Sequence, residues 1–534
     1  MGVMSRIASL FGATPAIRPA PGADFMRGGQ TDIASNQVSP FFISWQPALR
    51  SSREDVRMAW KDAAARTIDA LQNSGWIAGA VDQAVVSTIG SGLTLAAKPD
   101  ALALKWDAKQ ASAWAKMVER RFALWAGSPR ACDAQARVSL GHMTATAFRH
   151  WIATGEIVAT LPQIRREPGA PALKALLLES WRVTQESNQM DRLIQGVRLD
   201  AYGAPLGYRI QQDAMIDGQT QIIDVRARAR TGRPAVVHVF DGMPGQVRGI
   251  SALTPALKVV RQFDQLADAT LTAALLQSIF AATLESDAPT EQALRGFQDE
   301  PEQGIAQAGD GMALLEAQRA FYDGARIDLG RFGKIATLFP GDKLKFNRSE
   351  HPNSTYPDFS RILLREIARC LGLTFEQATG DYFGASYATI NQATAEIWQV
   401  VLYRRQIIGA RMLQPIYEAW LDEEIAAGTV PYPGGYRAFL AQRGFAVMAN
   451  WRGGKRPSGD PWKDAKAVAA MKEAGLMTDE QAFAERGEDW EEQYEQLARE
   501  RDERRRLGLP EMTAGARESD AAEMAAHDKA MNGA

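Results

Sequence analysis

The chain has 534 residues, of which 46% are apolar and 23% are charged. At roughly 150 residues per domain, this length predicts about three or four structural units. The composition excludes wholesale disorder, which requires low hydrophobicity and high net charge. Lys and Arg total 61 against 63 Asp and Glu, which gives a net charge of -2. A near-neutral chain is not a strongly basic nucleic-acid binder, so any DNA contact must be local or weak.

Cysteine content and hydropathy bear on location. Cys132 and Cys370 are the chain's two cysteines, and they provide neither a disulfide framework nor a cysteine zinc site, which fits a reducing compartment. The N-terminus has no apolar run behind a basic start, so secretion is not indicated. The most apolar uncharged stretch, residues 269–284, is shorter than the ~20 residues that span a membrane. We therefore predict a buried or packed helix there and no membrane contact.

Hydrophobic spacing divides the first half of the chain into helices and short strands. Residues 1–50 mix Gly, Pro, Ser and Ala without periodicity and predict a flexible arm. Ser52 begins a helical pattern that continues toward Ile89, and Gly155 marks the end of a later helix. The other predicted elements are helices over residues 106–125 and 143–154 and strands over 93–96, 156–165, 176–181, 197–201, 207–211 and 235–240. This half is predicted to be one mixed α+β unit.

Two unusually long helices are predicted in the second half. The first runs from Ser251 to Glu285, roughly 50 Å at about 1.5 Å per residue. The second follows a Gly/Tyr-rich loop at residues 380–387 and runs to Ile425, with a kink predicted at Pro415. The remaining predictions are weak helix over 287–328, short strands over 335–346, helices over 359–371, 463–474 and 478–506, a linker over 453–461 and a disordered tail after Pro510.

Motifs of the common catalytic and metal sites are absent from the sequence. No Gly-x-x-x-x-Gly-Lys-Ser/Thr loop exists, and the five His residues form neither His-Glu-x-x-His nor an i,i+4 pair. We therefore predict no catalytic residue, no metal and no cofactor. Residues 384–388 resemble a nucleophile elbow, but they lack its final Gly and the strand before it. A helix cap at Ser386 is favoured, and a serine hydrolase that uses Ser386 is the competing hypothesis.

Aromatic and basic residues leave further alternatives open. Arg404 and Arg405 are either a contact to phosphate or to a neighbouring subunit, or an ordinary surface pair. Several tryptophans are candidate stacking platforms for nucleic acid, although large aromatic residues are more often core residues. These tryptophans are Trp45, Trp106, Trp125, Trp398 and Trp420.

The order of the predicted elements resembles that of one known family. A mixed α+β body, a long helix, a small β-containing excursion, a return helix, a Gly/Tyr loop, a long kinked helix and a helical C-terminus follow one another. Over residues 51–509 this order is similar to the portal proteins of tailed bacteriophages, in the lambda-type subfamily. The motifs that carry the resemblance are His238-Val239-Phe240, Arg248-Gly249-Ile250-Ser251, residues 280–286, Phe339-Pro340-Gly341-Asp342, residues 364–368 and 372–377, Ser386-Tyr387-Ala388-Thr389, Asp460-Pro461-Trp462-Lys463 and Ala474-Gly475-Leu476.

The resemblance implies an α+β portal fold with an α/β wing, a two-helix stem, a small α/β clip, a long kinked wing helix and an α-helical crown. The implied divisions are the arm at 1–50, wing at 51–249, first stem helix at 250–286, clip at 287–356, second stem helix at 357–379, tunnel loop at 380–388, long wing helix and wing at 389–459, crown at 460–509 and tail at 510–534.

Family membership also implies a function and a set of partners. Portal proteins form a dodecameric ring at one capsid vertex of the virion, are assembled in the host cytoplasm, and conduct double-stranded DNA during packaging and ejection. The implied partners are the large terminase subunit, the major capsid protein, the head-completion or connector proteins, and double-stranded DNA bound weakly and without sequence specificity.

The tunnel loop provides the first candidate site, because bulky side chains there lie between two glycines. We hypothesise that these side chains project toward DNA, and the alternative is that they pack on the neighbouring subunit's wing helix. The residues are Asp381, Tyr382, Phe383 and Tyr387.

Lys258 and Arg261, off the apolar stripe of the first long helix, are the second candidates, either for the channel surface or for salt bridges between subunits. Near-neutral charge suits a conduit, because each phosphate neutralised by Lys or Arg adds affinity that would hold DNA back. A soluble scaffold or adaptor without a DNA channel is a third class of function that the sequence leaves open.

Overall fold

The structure is a computed structural model of the chain, and it describes residues 48–167, 169–213, 220–279, 282–286, 320, 342–346, 356–458 and 460–509. The chain divides into a first unit, Met1–Asp55, and a second unit, Val56–Ala534. The fold below is that of the second unit. The predictions for residues 1–47, for most of 287–355 and for the tail after Pro510 lie outside the described residues.

Helices and short strands alternate along the chain. The helices are α1 (Ser52–Asn73), α2 (Gly75–Thr88), α3 (Ala101–Leu104), α4 (Ala108–Gly127), α5 (Pro129–Cys132), α6 (Leu140–Thr154), α7 (Leu257–Ile279), α8 (Tyr356–Leu371), α9 (Phe375–Thr379), α10 (Tyr387–Ile408), α11 (Gln414–Ala426), α12 (Gly435–Ala446), α13 (Pro461–Glu473), α14 (Asp479–Glu485) and α15 (Trp490–Arg506). The strands are β1 (Thr94–Ala97), β2 (Glu156–Thr160), β3 (Leu176–Leu178), β4 (Leu193–Ile194), β5 (Val197–Leu199), β6 (Pro205–Asp213), β7 (Thr220–Arg226), β8 (Val236–Phe240), β9 (Ala282–Ser286), β10 (Asp342–Phe346) and β11 (Ala449–Arg452).

The strands pair antiparallel in small sheets. One sheet has the order β3-β2-β8, and a second is the meander β4-β5-β6-β7. Two further pairs join distant parts of the chain, β1 with β11 and β9 with β10. The larger apolar core combines residues of β2 and β8 with residues of α2, α4, α6, α8 and α11. The predicted α+β class is confirmed.

The predicted helix from Ser52 toward Ile89 is two helices, α1 and α2. Ser74 separates them with an extended backbone (φ −105°, ψ 113°). Its hydroxyl donates to Asp264 Oδ1 of α7 at 3.3 Å. This partner is 190 positions away, so helical periodicity did not reveal the break.

Gly155 ends α6, as the sequence predicts, with a left-handed backbone (φ 89°). It has a second role that the sequence did not indicate. A Cβ at this position would lie 2.1 Å from the backbone of Ile250, so only glycine allows these two segments to meet.

The long helix predicted from Ser251 to Glu285 is wrong at both ends. A short 3-10 turn, Thr254–Ala256, precedes α7, which spans 23 residues and about 35 Å at ~1.5 Å per residue. Residues 282–286 form β9, in which Leu284 lies opposite Leu344 of β10. The alternation of Ala282 and Leu284 with polar residues was a strand signal.

The second long helix contains a π-helical turn, Gly409–Leu413, between α10 and α11. Pro415 lies in the first turn of α11, where the missing N–H of proline is tolerated. The interruption therefore falls beside the predicted kink, and a π turn accompanies it. The predicted helix over 478–506 is two helices, α14 and α15.

A buried ion pair joins the two larger sheets to the segment that leads into α7. Glu156 on β2 and Arg248 are both fully buried, and Arg248 Nε lies 2.9 Å from the carboxylate. The same carboxylate binds His238 Nε2 of β8 at 3.0 Å and accepts the backbone N–H of Gly249 at 3.1 Å. Arg248 also donates to the carbonyl oxygens of Ser180 and Gln195 at 2.8 and 3.0 Å. The carboxylate of Glu156 and the guanidinium of Arg248 therefore both have hydrogen-bond partners inside the protein.

Replacing Glu156 with Gln is expected to lower the free energy of unfolding by about 3–5 kcal/mol, because it leaves the Arg248 charge buried without a counter-ion. Burial by itself raises the pKa of Glu156, but Arg248 and His238 oppose this and lower it to about 2. The contribution of the pair is thus complete above pH 4.5, the ordinary value, and is lost as the pH falls toward 2. Denaturant unfolding at pH 7 and pH 3 measures both effects.

The matched control is Glu167→Gln, which breaks the exposed pair of Glu167 with Arg130 and should cost less than about 1 kcal/mol. An equal loss in the two variants would contradict the structural role given to the buried pair.

The C-terminal helices α13, α14 and α15 have no buried residue. Ion pairs hold α14 and α15 against α4 and the β1–β11 sheet. Lys116 of α4 lies 2.9 Å from both Glu491 and Glu495, and Arg452 of β11 lies 2.9 Å from Asp489. The side chains of Arg452 and Asp489 are only 10% and 21% exposed, so this pair is screened by salt less than a fully exposed pair.

Glu119 of α4 lies close to these pairs. Its carboxylate accepts the N–H of Ala97 at 2.7 Å. Burial raises its pKa to about 7, and the nearby carboxylates of Asp489 and Glu492 add to the rise. Folding is therefore favoured by the protonated form, and this contribution is lost as the pH rises from 4.5 through 7.

Replacing Glu119 with Gln is expected to raise stability by about 1–2 kcal/mol at pH 8 and to change it little at pH 5. Gln is neutral throughout and still offers an oxygen to the N–H of Ala97. Thermal unfolding of both proteins across this pH range is the measurement. Glu473→Gln on exposed α13 is the control, and it should change the stability by the same amount at pH 5 and pH 8. If the stability of Glu119→Gln follows the same pH dependence as that of wild type, the role given to Glu119 is contradicted.

Candidate DNA-channel surface

The loop between α9 and α10 presents two aromatic side chains to solvent. Tyr382 is 53% exposed and Phe383 is 88% exposed. Gly380 and Gly384 flank them with left-handed backbones (φ 71° and 77°). Tyr387 begins α10, and its side chain lies outside the described residues. The structure thus places three of the four predicted loop residues together and exposes the two described aromatic rings.

Asp381 organises the start of this loop. One carboxylate oxygen accepts the N–H of Phe383 at 3.0 Å, and the other lies 3.2 Å from Arg361 Nη2 of α8. The backbone N–H of Asp381 donates to Thr379 Oγ1 at 3.2 Å. The N–H of Phe383, and then Arg361, lower the pKa of Asp381, so the carboxylate is charged at neutral pH.

Two arginines of α8 beside the loop were missed from the sequence. Arg361 and Arg365 line an open cavity of about 260 Å³ together with Phe375, Phe383 and residues 384–386. Arg365 lies over the ring of Phe375 at 5.5 Å. The i,i+4 spacing of the two arginines was visible in the sequence, but the carboxylate that faces one of them depends on the turn after α9.

Lys258 and Arg261 are exposed at the start of α7. The opposite face of α7 buries Val259, Val260 and Phe263, so the two cations point away from the core as predicted. Neither forms an ion pair with a carboxylate among the described residues. No described contact joins them to the loop, and their role stays a prediction.

Exposed apolar side chains lie on α7 and α8, which pack together. Leu271, Leu275, Phe359 and Ile362 are each more than half exposed. The prediction of a buried or packed helix over residues 269–284 therefore holds in its second form up to Ile279, where α7 packs on α8 but leaves Leu271 and Leu275 exposed. These side chains form an apolar face that is open in the single chain.

Ser386 caps α10. Its Oγ accepts the N–H of Thr389 at 3.2 Å and lies 2.8 Å from the Thr389 hydroxyl. No described histidine or carboxylate contacts it, and α9 precedes the loop in place of the strand of a nucleophile elbow. The cap prediction is confirmed. The described residues do not provide the strand or the histidine that a serine hydrolase would need at Ser386.

Arg404 and Arg405 are not a surface pair and do not face an open anion site. Arg404 donates to the carbonyl of Leu371, the last residue of α8, at 2.7 Å. Arg405 donates to the carbonyl of Thr88, the last residue of α2, at 2.7 Å, and lies over the ring of Trp398 at 4.8 Å. Both therefore cap the C-termini of neighbouring helices, where positive charge is favoured.

The described tryptophans of the stacking hypothesis contribute mainly to the fold. Trp125 and Trp420 are buried, and Trp398 lies under Arg405. Trp106 packs on Trp114 with ring centroids 5.3 Å apart, although it also lines an open apolar cavity. Trp45 lies outside the described residues.

Among the described residues, no three His, Cys, Asp or Glu side chains converge on a common point that suits a metal ion. No helix in the same part of the chain combines the length and hydropathy needed to cross a bilayer.

Comparison with known proteins gives the family. Residues 40–405 match the family described as phage portal protein, lambda family. The chain therefore belongs to the lambda family of phage portal proteins, as its motifs predicted. This is a family of structural proteins.

Two relatives match along most of their length. The chain is 28% identical over 473 residues to the portal protein of Escherichia phage N15, which covers 87% of this chain and 88% of that protein. It is 27% identical over 489 residues to portal protein B of Escherichia phage lambda, with 89% and 90% covered. Among solved structures, a chain from the virion of a native gene transfer agent particle is 14% identical, covers 90% of this chain and 98% of its own length, and has a TM-score of 0.41.

The Ser386→Ala variant is expected to destabilise the start of α10 by about 1 kcal/mol, and Ser386→Gly by only a few tenths, because glycine is a tolerated N-cap. Denaturant unfolding and hydrogen exchange in residues 387–390 measure this difference. Both variants lack the hydroxyl, so hydrolysis of a simple ester such as p-nitrophenyl acetate should equal that of wild type. Loss of such an activity in both variants would restore the hydrolase hypothesis.

Proposed function

We propose that this portal protein forms a closed ring of copies, twelve by family resemblance, through which double-stranded DNA passes during packaging and ejection. In this arrangement residues 51–249 and 389–459 are the wing, α7 and α8 the stem, and residues 287–356 the clip. Residues 380–388 are the tunnel loop, and residues 460–509 the crown. The ring sits at one capsid vertex of the virion.

The exposure of Tyr382 and Phe383 is the observation that supports a contact between this loop and DNA. The rings of the loop offer uncharged contact area, and of the two arginines of α8 beside it, Arg361 is paired with Asp381 and Arg365 lies over the ring of Phe375. A loop of this kind touches DNA without the counterion release that makes binding strong. Such weak contact fits a conduit, in which DNA must move past the protein.

The apolar faces of α7 and α8 support the ring. Leu271 and Leu275 are exposed in the single chain, and fully burying a Leu side chain gains about 1.5–3 kcal/mol. In a ring, the same two helices of the next copy are the natural occupant of this surface, since each subunit presents one face to each neighbour.

The remaining partners of the proposal follow from family membership. They are the large terminase subunit during packaging, the major capsid protein around the ring, and head-completion or connector proteins after packaging. Assembly in the host cytoplasm belongs to the same proposal.

Replacing Tyr382 and Phe383 with Ala is expected to leave ring assembly unchanged and to reduce DNA retention in filled capsids severalfold. These substitutions keep Asp381 and the Ser386 cap, which a deletion of residues 382–387 would remove. Mass in solution and imaging report the ring, and DNA per capsid reports retention. Loss of the ring would assign the two side chains to subunit packing instead.

The contrasting variant is Leu271→Glu with Leu275→Glu, which should prevent ring formation because it places charges in the proposed stem contact. Leu102→Glu is its control, since Leu102 is 91% exposed on α3 and belongs to no proposed contact. Rings formed by the double variant would exclude this surface as the subunit interface.

A further inference from the structure

Arg361 holds the loop through a single carboxylate. Its guanidinium lies 3.2 Å from Asp381 Oδ2, with the two side chains 38% and 37% exposed. The second oxygen of that carboxylate accepts the N–H of Phe383. One side chain therefore links α8 to the backbone that carries the exposed ring.

The rest of the loop has few other attachments in the described residues. Tyr382 and Phe383 stack on no described ring, and their side chains have no described hydrogen bond. The loop is otherwise fixed by its ends, where α9 stops at Gly380 and Ser386 caps α10. The tie to Arg361 is thus the described side-chain contact that sets the loop relative to α8.

The frame around this tie is rigid. The buried face of α8 includes Leu364, Ile367 and Leu371, and Arg404 of α10 binds the last carbonyl of α8. The backbone from which Arg361 projects is therefore held by the core and, at the C-terminal end of α8, by α10.

We propose that Arg361 is a positioning residue that couples the loop to α8 through Asp381, and thereby fixes the position of Phe383 relative to α8. This inference rests on the proposed function only for its consequence, which is the placement of the loop against DNA. The coupling itself is a property of the chain.

Neighbouring arginines of the same helix provide controls. Arg365 lies over the ring of Phe375 and forms no described ion pair with Asp381. Arg369 lies two turns beyond Arg361 and pairs with Glu396 of α10 at 3.6 Å, with both side chains exposed. Arg369→Ala therefore removes the same kind of surface pair from α8 without touching the loop.

The test uses assembled full-length rings and hydrogen exchange of residues 380–386, read by mass spectrometry. Arg361→Ala and Asp381→Asn are each expected to speed exchange about fivefold, the effect of losing one partly exposed ion pair. Asn at 381 still accepts the N–H of Phe383, so this variant removes the charge and keeps the turn. The double variant should show no further increase, because both changes remove one interaction. Wild type in 1 M salt should shift in the same direction, since the pair is screened.

An unchanged exchange rate in Arg361→Ala would overturn the inference. An equal increase of the exchange rate in Arg369→Ala would do the same, as would a double variant in which the increases of the two single variants multiply. DNA retention separates the coupling from the proposed function. Faster exchange with reduced retention supports both. Faster exchange with normal retention confirms the coupling and contradicts the DNA-facing role of the loop.

Discussion

The buried contact between Glu156 and Arg248 holds the segment between β8 and α7 against both larger sheets. Arg248 lies in the short segment between β8 and α7, yet its guanidinium reaches Glu156 of β2 and the carbonyls of Ser180 and Gln195. A buried guanidinium tolerates no vacant donor positions, so all of these segments must meet at one point. The start of α7 is thereby fixed against both larger sheets, and α8, which packs on α7, inherits that orientation. The loop after α9 is in turn attached to α8 through Arg361.

Two kinds of electrostatic attachment divide the molecule. Arg248, Arg404 and Arg405 bind backbone carbonyls or a buried carboxylate, where the planar guanidinium satisfies several acceptors at once. The C-terminal helix α15 is instead held by Lys116 and Arg452, which pair with partly buried carboxylates at its start. The first kind of attachment connects α10 to the C-terminal ends of α2 and α8. The second connects α15 to α4 and β11.

Local signals were sufficient for much of the fold, and long-range contacts account for the errors. Gly155 and Ser386 were assigned correctly because a helix stop and a cap depend on a few neighbouring residues. Ser74 was missed because its partner lies on α7. At the site, the exposed aromatic residues were predicted, but Arg361 was not, since its role depends on how α9 turns the chain back toward α8. For Arg404 and Arg405 the sequence left open a contact to phosphate, a contact to a neighbouring subunit and an ordinary surface pair, because it does not show which helix C-termini lie within reach.

Several of the chain's arginines are not available to bind phosphate, although they count in its net charge. Arg248, Arg404 and Arg405 count toward the 61 basic residues, yet their donors are occupied inside the protein. Arg361 at the loop is paired with Asp381, which itself places a negative charge beside the exposed rings. Affinity for phosphate depends on cations that are free to displace counterions. If the proposed loop faces DNA, it therefore offers mainly aromatic contact area, because the arginine nearest to it already binds a carboxylate.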